Sequence, residues 1–86
     1  ATSTPCVGCT LWYAGRVAVL QLVNITLQAS MIRTVGKLPV RLASDALGSI
    51  AYDSSAGYVL VHVDGTITCF STSSGDFSGQ VFMVLA

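Results

Sequence analysis

Charge is what this chain has least of. Of its 86 residues, four are Lys or Arg and four are Asp or Glu, so 9% are charged and the formal net charge is zero. Ordinary domains carry roughly 25% charged residues. No basic cluster is present to neutralise phosphates, so no nucleic-acid partner is expected. Nothing here would steer a strongly charged target either. Long apolar runs are also missing. The most apolar stretch, Val17 to Ile25, contains Gln21 and Asn24 and has about half the length of a spanning helix. No cationic segment precedes it, so neither membrane insertion nor a signal peptide is expected.

Histidine occurs once, at His62. A catalytic histidine needs a nucleophile or acid placed beside it by the fold. Ser54, Ser55 and the run Ser71 to Ser74 have no base partner, so a serine nucleophile finds no support. The four scattered acids offer no carboxylate pair for glycoside cleavage. The expectation is a protein that is not an enzyme and carries no cofactor. Cysteine occurs three times, as Cys6, Cys9 and Cys69. Cys6-Val7-Gly8-Cys9 has the C-x-x-C spacing of a redox pair, but that motif normally opens a helix in a βαβ unit. Zinc would need two further ligands, and only Cys69 and His62 remain. Plain thiols, a Cys6–Cys9 disulfide and a link between chains all stay open. No metal site is expected.

What is present is apolar: 52% of the residues are hydrophobic and the mean hydropathy is +0.71. Eighty-six residues make one domain, marginal in stability if it stands alone. A small monomer can scarcely cover itself with so few charges, so an obligate oligomer or a piece of a larger assembly is expected.

The pattern is β throughout. Tyr58 to Ser71 reads as a hairpin around Asp64-Gly65, a dipeptide suited to a type I′ turn. A two-residue loop there sets Val63 against Thr66, Val61 against Thr68 and Val59 against Phe70. Tyr58, Leu60, His62, Ile67, Cys69 and Ser71 then share the other face. Both faces come out apolar, which asks for a second sheet or a partner.

Along the chain, Ala1 to Pro5 looks like a linker or the cut end of a longer protein. Thr10 to Tyr13 is a short strand, Ala14-Gly15 a tight turn and Arg16 to Thr26 a long strand with both faces largely apolar. A buried helix over Arg16 to Ala29 is the rival, and the β-branched residues of the segment favour the strand. Asn24-Ile25-Thr26 matches a glycosylation acceptor but lies inside this strand and carries no expectation. Met31 to Val35 is a short strand, Gly36 to Pro39 a turn and Val40 to Asp45 irregular. Leu47 to Tyr52 is a strand, and Asp53 to Gly57 a loop. Asp76 to Leu85 is a final strand with Phe77, Gly79, Val81, Met83 and Leu85 on one side. Six or seven short strands with frequent turns predict an antiparallel β-sandwich or small barrel.

Three segments resemble a known family in order and spacing. Tyr13-Ala14-Gly15-Arg16-Val17-Ala18-Val19 looks like its opening hairpin. Val35-Gly36-Lys37-Leu38-Pro39 looks like its G-x-L-P turn, and Val61-His62-Val63-Asp64-Gly65-Thr66-Ile67 is similar to its D-G-T hairpin. A terminal strand like Gly75 to Val81 follows. The family is the C-terminal head domain of bacteriophage tail-fibre and baseplate receptor-binding proteins. One departure stands out: members usually continue from the L-P turn with a G-Y-R-P-like segment, whereas Val40-Arg41-Leu42-Ala43 keeps the Arg and lacks the second Pro.

The resemblance spans about residues 10–86, which makes residues 1–9 a linker or the end of a fibre shaft. It implies a homotrimer at the tip of a virion's tail fibre or baseplate, adhering to host surface polysaccharide or another envelope component. A structural module that trimerises or caps a fibre is the alternative. Aromatic faces with a polar edge suit sugar rings, which makes Trp12, Tyr52 and Tyr58 candidate contacts. Arg41, Asp45 and Asp53 are loop-borne groups able to bind hydroxyls. Tyr52 with Asp53 is the expected centre of an exposed platform.

Overall fold

The computed structural model describes residues 2–86. Their regular elements are eight strands: β1 (Thr2–Ser3), β2 (Cys9–Ala14), β3 (Val17–Leu27), β4 (Arg33–Lys37), β5 (Ala46–Tyr52), β6 (Ser55–Val61), β7 (Thr66–Ser71) and β8 (Gly75–Val84). All pair antiparallel in one sheet, in the order β1-β2-β3-β8-β5-β6-β7-β4. The all-β, antiparallel expectation holds. The count is eight rather than six or seven, and the sheet curls on itself as a half-barrel instead of splitting into two layers.

The concave face holds the core. Leu11, Leu20, Leu22, Ile50, Val59, Val61, Ile67, Phe77 and Val81 are all essentially inaccessible. On β8 the alternation read from the sequence is the one observed, with Phe77, Val81, Met83 and Leu85 buried.

On β3 it is not. Leu22 pairs with Gly79 and Ile25 with Phe77, so Val23 and Asn24 together oppose Ser78. Asn24 takes a left-handed φ of 54°, and its N–H donates to Ser78 Oγ at 3.0 Å. This bulge shifts the side-chain phase by one residue. Ala18, Leu20 and Leu22 point inward before it, and Ile25 and Leu27 after it. Simple alternation put Ile25 on the other face. The bulge is why a strand that looked apolar on both sides serves a single core.

The β6–β7 hairpin carries a second correction. Val61 pairs with Ile67, Val59 with Cys69 and Tyr58 with Phe70, one residue away from the expected register. Gly65 N–H donates to His62 O at 2.8 Å and His62 N–H to Thr66 O at 2.9 Å. Val63, Asp64 and Gly65 therefore form a three-residue loop, with Gly65 at φ 98° supplying the left-handed step such a loop requires. One extra loop residue exchanges the two faces of β7 relative to β6. Val59, Val61, Ile67 and Cys69 then meet in the core, while Tyr58, Leu60, His62, Thr68 and Phe70 share the outer face.

Two boundaries also move. Gly36 and Lys37 belong to β4 rather than to a turn, because a register shift between Thr34 and Gly36 lets the strand continue along β7. The loop expected over residues 53–57 shrinks to Asp53-Ser54, since Tyr52 already pairs with Ser55.

Residues 2–9 lie against the sheet. Thr2 and Ser3 pair with Trp12 and Leu11, and Cys9 is buried. Pro5 and Cys6 pass so close to Gly36 that a Cβ there would sit 2.8 Å from Cys6 Cβ. Cys6 and Cys9 form a disulfide with Cα atoms 5.1 Å apart, while Cys69 is free and buried. Burial pushes the Cys69 thiol up to about 11, which keeps it protonated and unreactive at neutral pH.

Asp64 braces its turn. Its Oδ1 accepts the Thr66 N–H at 3.0 Å, and that bond holds the carboxyl below its ordinary value of 3.8. A depressed folded-state pKa contributes stability above the unfolded value and loses it as pH falls through the folded one. The urea midpoint of Asp64→Asn is therefore expected to lie below wild type at neutral pH. The gap should narrow as pH falls below the unfolded carboxyl value and close only once pH passes below the depressed folded-state pKa of Asp64. A constant gap across that range would show that the carboxylate charge plays no part.

Candidate functional site on the outer face

The outer face is built by the residues that alternate with the core set. Its rows follow from the strand register. Trp12 pairs with Val19 and Val19 with Phe82, while Val17 pairs with Val84. Leu47 pairs with Leu60. A neighbouring row runs from Gln21 to Gln80, Ser49, Tyr58 and Phe70. The face thus has an apolar region near the β2–β3 turn and an aromatic pair on β6 and β7, with an amide and hydroxyl step beside them.

Tyr58 and Phe70 lie with ring centroids 5.5 Å apart and planes inclined by 32°, within the range of favourable aromatic pairs. Tyr58 is 42% exposed. Beside the rings lies a shallow cleft of about 260 Å3 lined by Ala56, Gly57, Tyr58, Phe70, Ser71 and Thr72. Gly57 is required there because a Cβ would run into the Phe70 carbonyl oxygen. The result is an apolar ring surface with polar groups at its edge and no charge. Such a surface can stack on a flat face of a hydroxylated ligand and bind its edges.

The sequence-predicted residues fall into two groups. Tyr52 and Asp53 lie at the β5–β6 turn, where Tyr52 packs against Phe77 at 5.8 Å and covers Gly75. Asp53 occupies the turn itself with φ 53°. Tyr58 lies three residues into the next strand from that turn. Arg41 and Asp45 lie between β4 and β5, toward the opposite end of the sheet. Ala86 N–H donates to Arg41 O at 3.0 Å, and Val63 N–H donates to Asp45 Oδ1 at 2.9 Å. Asp45 thereby braces the β6–β7 turn. Trp12, next to the β2–β3 turn, belongs to the apolar region. The two groups do not form one site.

His62 is half-buried on the outer face, its Nε2 3.3 Å from Thr68 Oγ1. Asp76 accepts the Thr26 hydroxyl at 2.8 Å. Among the described residues no three of His, Cys, Asp and Glu gather as a metal site would require.

Sequence reasoning missed Phe70 and Phe82 as surface groups. Phe70 was misplaced by the one-residue register error. Gly65, preceded by two residues suited to a type I turn, was the available sign of the longer loop. Phe82 lies one step off the correctly read core set of β8, so its outward direction was legible.

Fold and face together define a small all-β domain with one closed core and an outer surface that is apolar and aromatic instead of charged. No protein-family model matches the chain, and no curated protein or solved structure matches it either.

Proposed function

We propose that this chain is the non-enzymatic receptor-binding head of a bacteriophage tail fibre or baseplate protein, located on the virion and assembled as a homotrimer. It recognises a host cell-surface saccharide without cleaving it. The observation that carries this reading is the exposed Tyr58 paired with the half-buried Phe70, with a polar rim and no charge. Support also comes from the acids: Asp45, Asp64 and Asp76 are each engaged in a hydrogen bond. Weak single sites would be reinforced by binding in threes.

The test is calorimetric titration of the assembled protein with a panel of oligosaccharides from bacterial cell envelopes. Tyr58→Ala is expected to weaken a positive interaction roughly tenfold, equivalent to about 1.4 kcal/mol, and to lower the melting temperature by several degrees through the lost ring pair while leaving the protein folded at about 25 °C. Binding that survives Tyr58→Ala intact would move the site elsewhere. A second reading, a structural module that caps or registers a fibre, draws on the short turns at Gly15-Arg16 and Asp53-Ser54, which offer few loops for recognition. The absence of any saccharide binding across the panel would favour that reading.

A further inference from the structure

On the outer face Phe82 is 69% exposed, Leu47 69%, Val17 67%, Val84 53% and Trp12 42%. The strand register makes them neighbours. Val19 lies between Trp12 and Phe82, and Val17 pairs directly with Val84. Leu47 and Phe82 each lie two residues beyond the Ser49–Gln80 pair, on the same face.

Together the five side chains expose apolar surface on the order of 500 Å2, at the upper end for a monomer and most of the ~800 Å2 a partner contributes to a stable interface. None of them is charged. The one acid at its margin, Asp45, lines the edge of a hollow beside Phe82 and accepts the Val63 N–H.

Its relief is complementary to itself. Phe82 stands between two shallow hollows. One, of about 340 Å3, is lined by Trp12, Val17, Val19 and Phe82 among others. The second, of about 310 Å3, is lined by Val17, Ala46, Phe82 and Val84 among others. An aromatic knob beside hollows roomy enough to receive a ring is what a surface needs to pack against copies of itself.

We propose that copies of this chain assemble outer face to outer face through this patch, with Phe82 of each copy seated in a hollow of a neighbour. The interface leaves Tyr58 and Phe70, on β6 and β7, free for ligand. This inference rests on the self-associating head described above and assigns its contact surface.

The experiment is native mass by light scattering over a dilution series, for wild type, Phe82→Asp and Tyr58→Ala, with circular dichroism to verify folding. Wild type and Tyr58→Ala are expected to be oligomers. Phe82→Asp is expected to be a folded monomer at concentrations at least tenfold higher than those at which wild type dissociates. A wild-type monomer overturns self-association itself. An oligomeric wild type with an equally oligomeric Phe82→Asp keeps self-association and overturns this surface. If Phe82→Asp fails to fold, Val17→Ser with Val84→Ser provides the same readout with milder changes. An unchanged mass for that double variant also overturns the assignment.

Discussion

Val61→Asp is expected to yield no soluble folded protein, whereas Val63→Asp, two residues away, is expected to fold. Val61 is fully buried among the core residues, while Val63 is 37% exposed in the turn. Removing the valine side chain from the core costs about 1.5–3 kcal/mol. A carboxylate in its place finds no partner there. It is either buried as an unpaired charge or forced to protonate, at a further cost of several kcal/mol. The sum is comparable to the whole stability of a domain, about 5–15 kcal/mol. At Val63 the new carboxylate reaches water, and the expected change stays below about 1 kcal/mol. Soluble yield and the dispersion of amide NMR signals distinguish the outcomes. Equal behaviour of the two variants would mean that both residues share one face and one environment, as a two-residue loop requires, and would contradict the three-residue loop.

Phe77→Ala is expected to be the most damaging simple truncation. Phe77 is the largest fully buried side chain, on a strand hydrogen-bonded to both β3 and β5. It is also the ring against which Tyr52 packs. Truncating a buried Phe to Ala costs about 3–5 kcal/mol through lost transfer energy and the cavity left behind. In a domain of this size each kcal/mol lowers the melting temperature by roughly 4–8 °C, so a fall on the order of 20 °C is expected. Phe77→Leu, which keeps most of the volume, should cost less than about half as much. Thermal melts of the two variants decide the point. A shift of only a few degrees for Phe77→Ala would show that the concave core is not centred on this ring. The same variant loosens the support of Tyr52 but leaves the Tyr58–Phe70 pair in place, so any saccharide binding should persist below its melting point.

Parts of the architecture were legible residue by residue. β8 was read correctly because a regular strand buries every second side chain, and nothing interrupts the run from Phe77 to Leu85. The class of fold followed from β-branched and aromatic segments separated by turn residues. The candidate site was half legible. Tyr58 was named, but its partner Phe70 was assigned to the wrong face. Tyr52, Asp53, Arg41, Asp45 and Trp12 follow from residue type and, for most of them, a place in or beside a loop, and neither says which end of a sheet a residue occupies.

The sequence by itself determined that this is a chain of antiparallel strands with too little charge to cover its apolar surface. Composition and side-chain period are local quantities, and they decide those properties wherever the strands lie. Only the tertiary structure decided which apolar residues are inside. The phase of β3 changes at Asn24 because a hydroxyl on another strand, Ser78, receives its N–H. The phase of β7 changes because the turn holds three residues rather than two. The N-terminal segment lies against β4 because Gly36 lets it approach. Each of these depends on a partner distant in sequence or on a single-residue count. A strand exchanges its two faces for every residue gained or lost, so one such event turns an apparently two-sided apolar hairpin into a core side and an outer side.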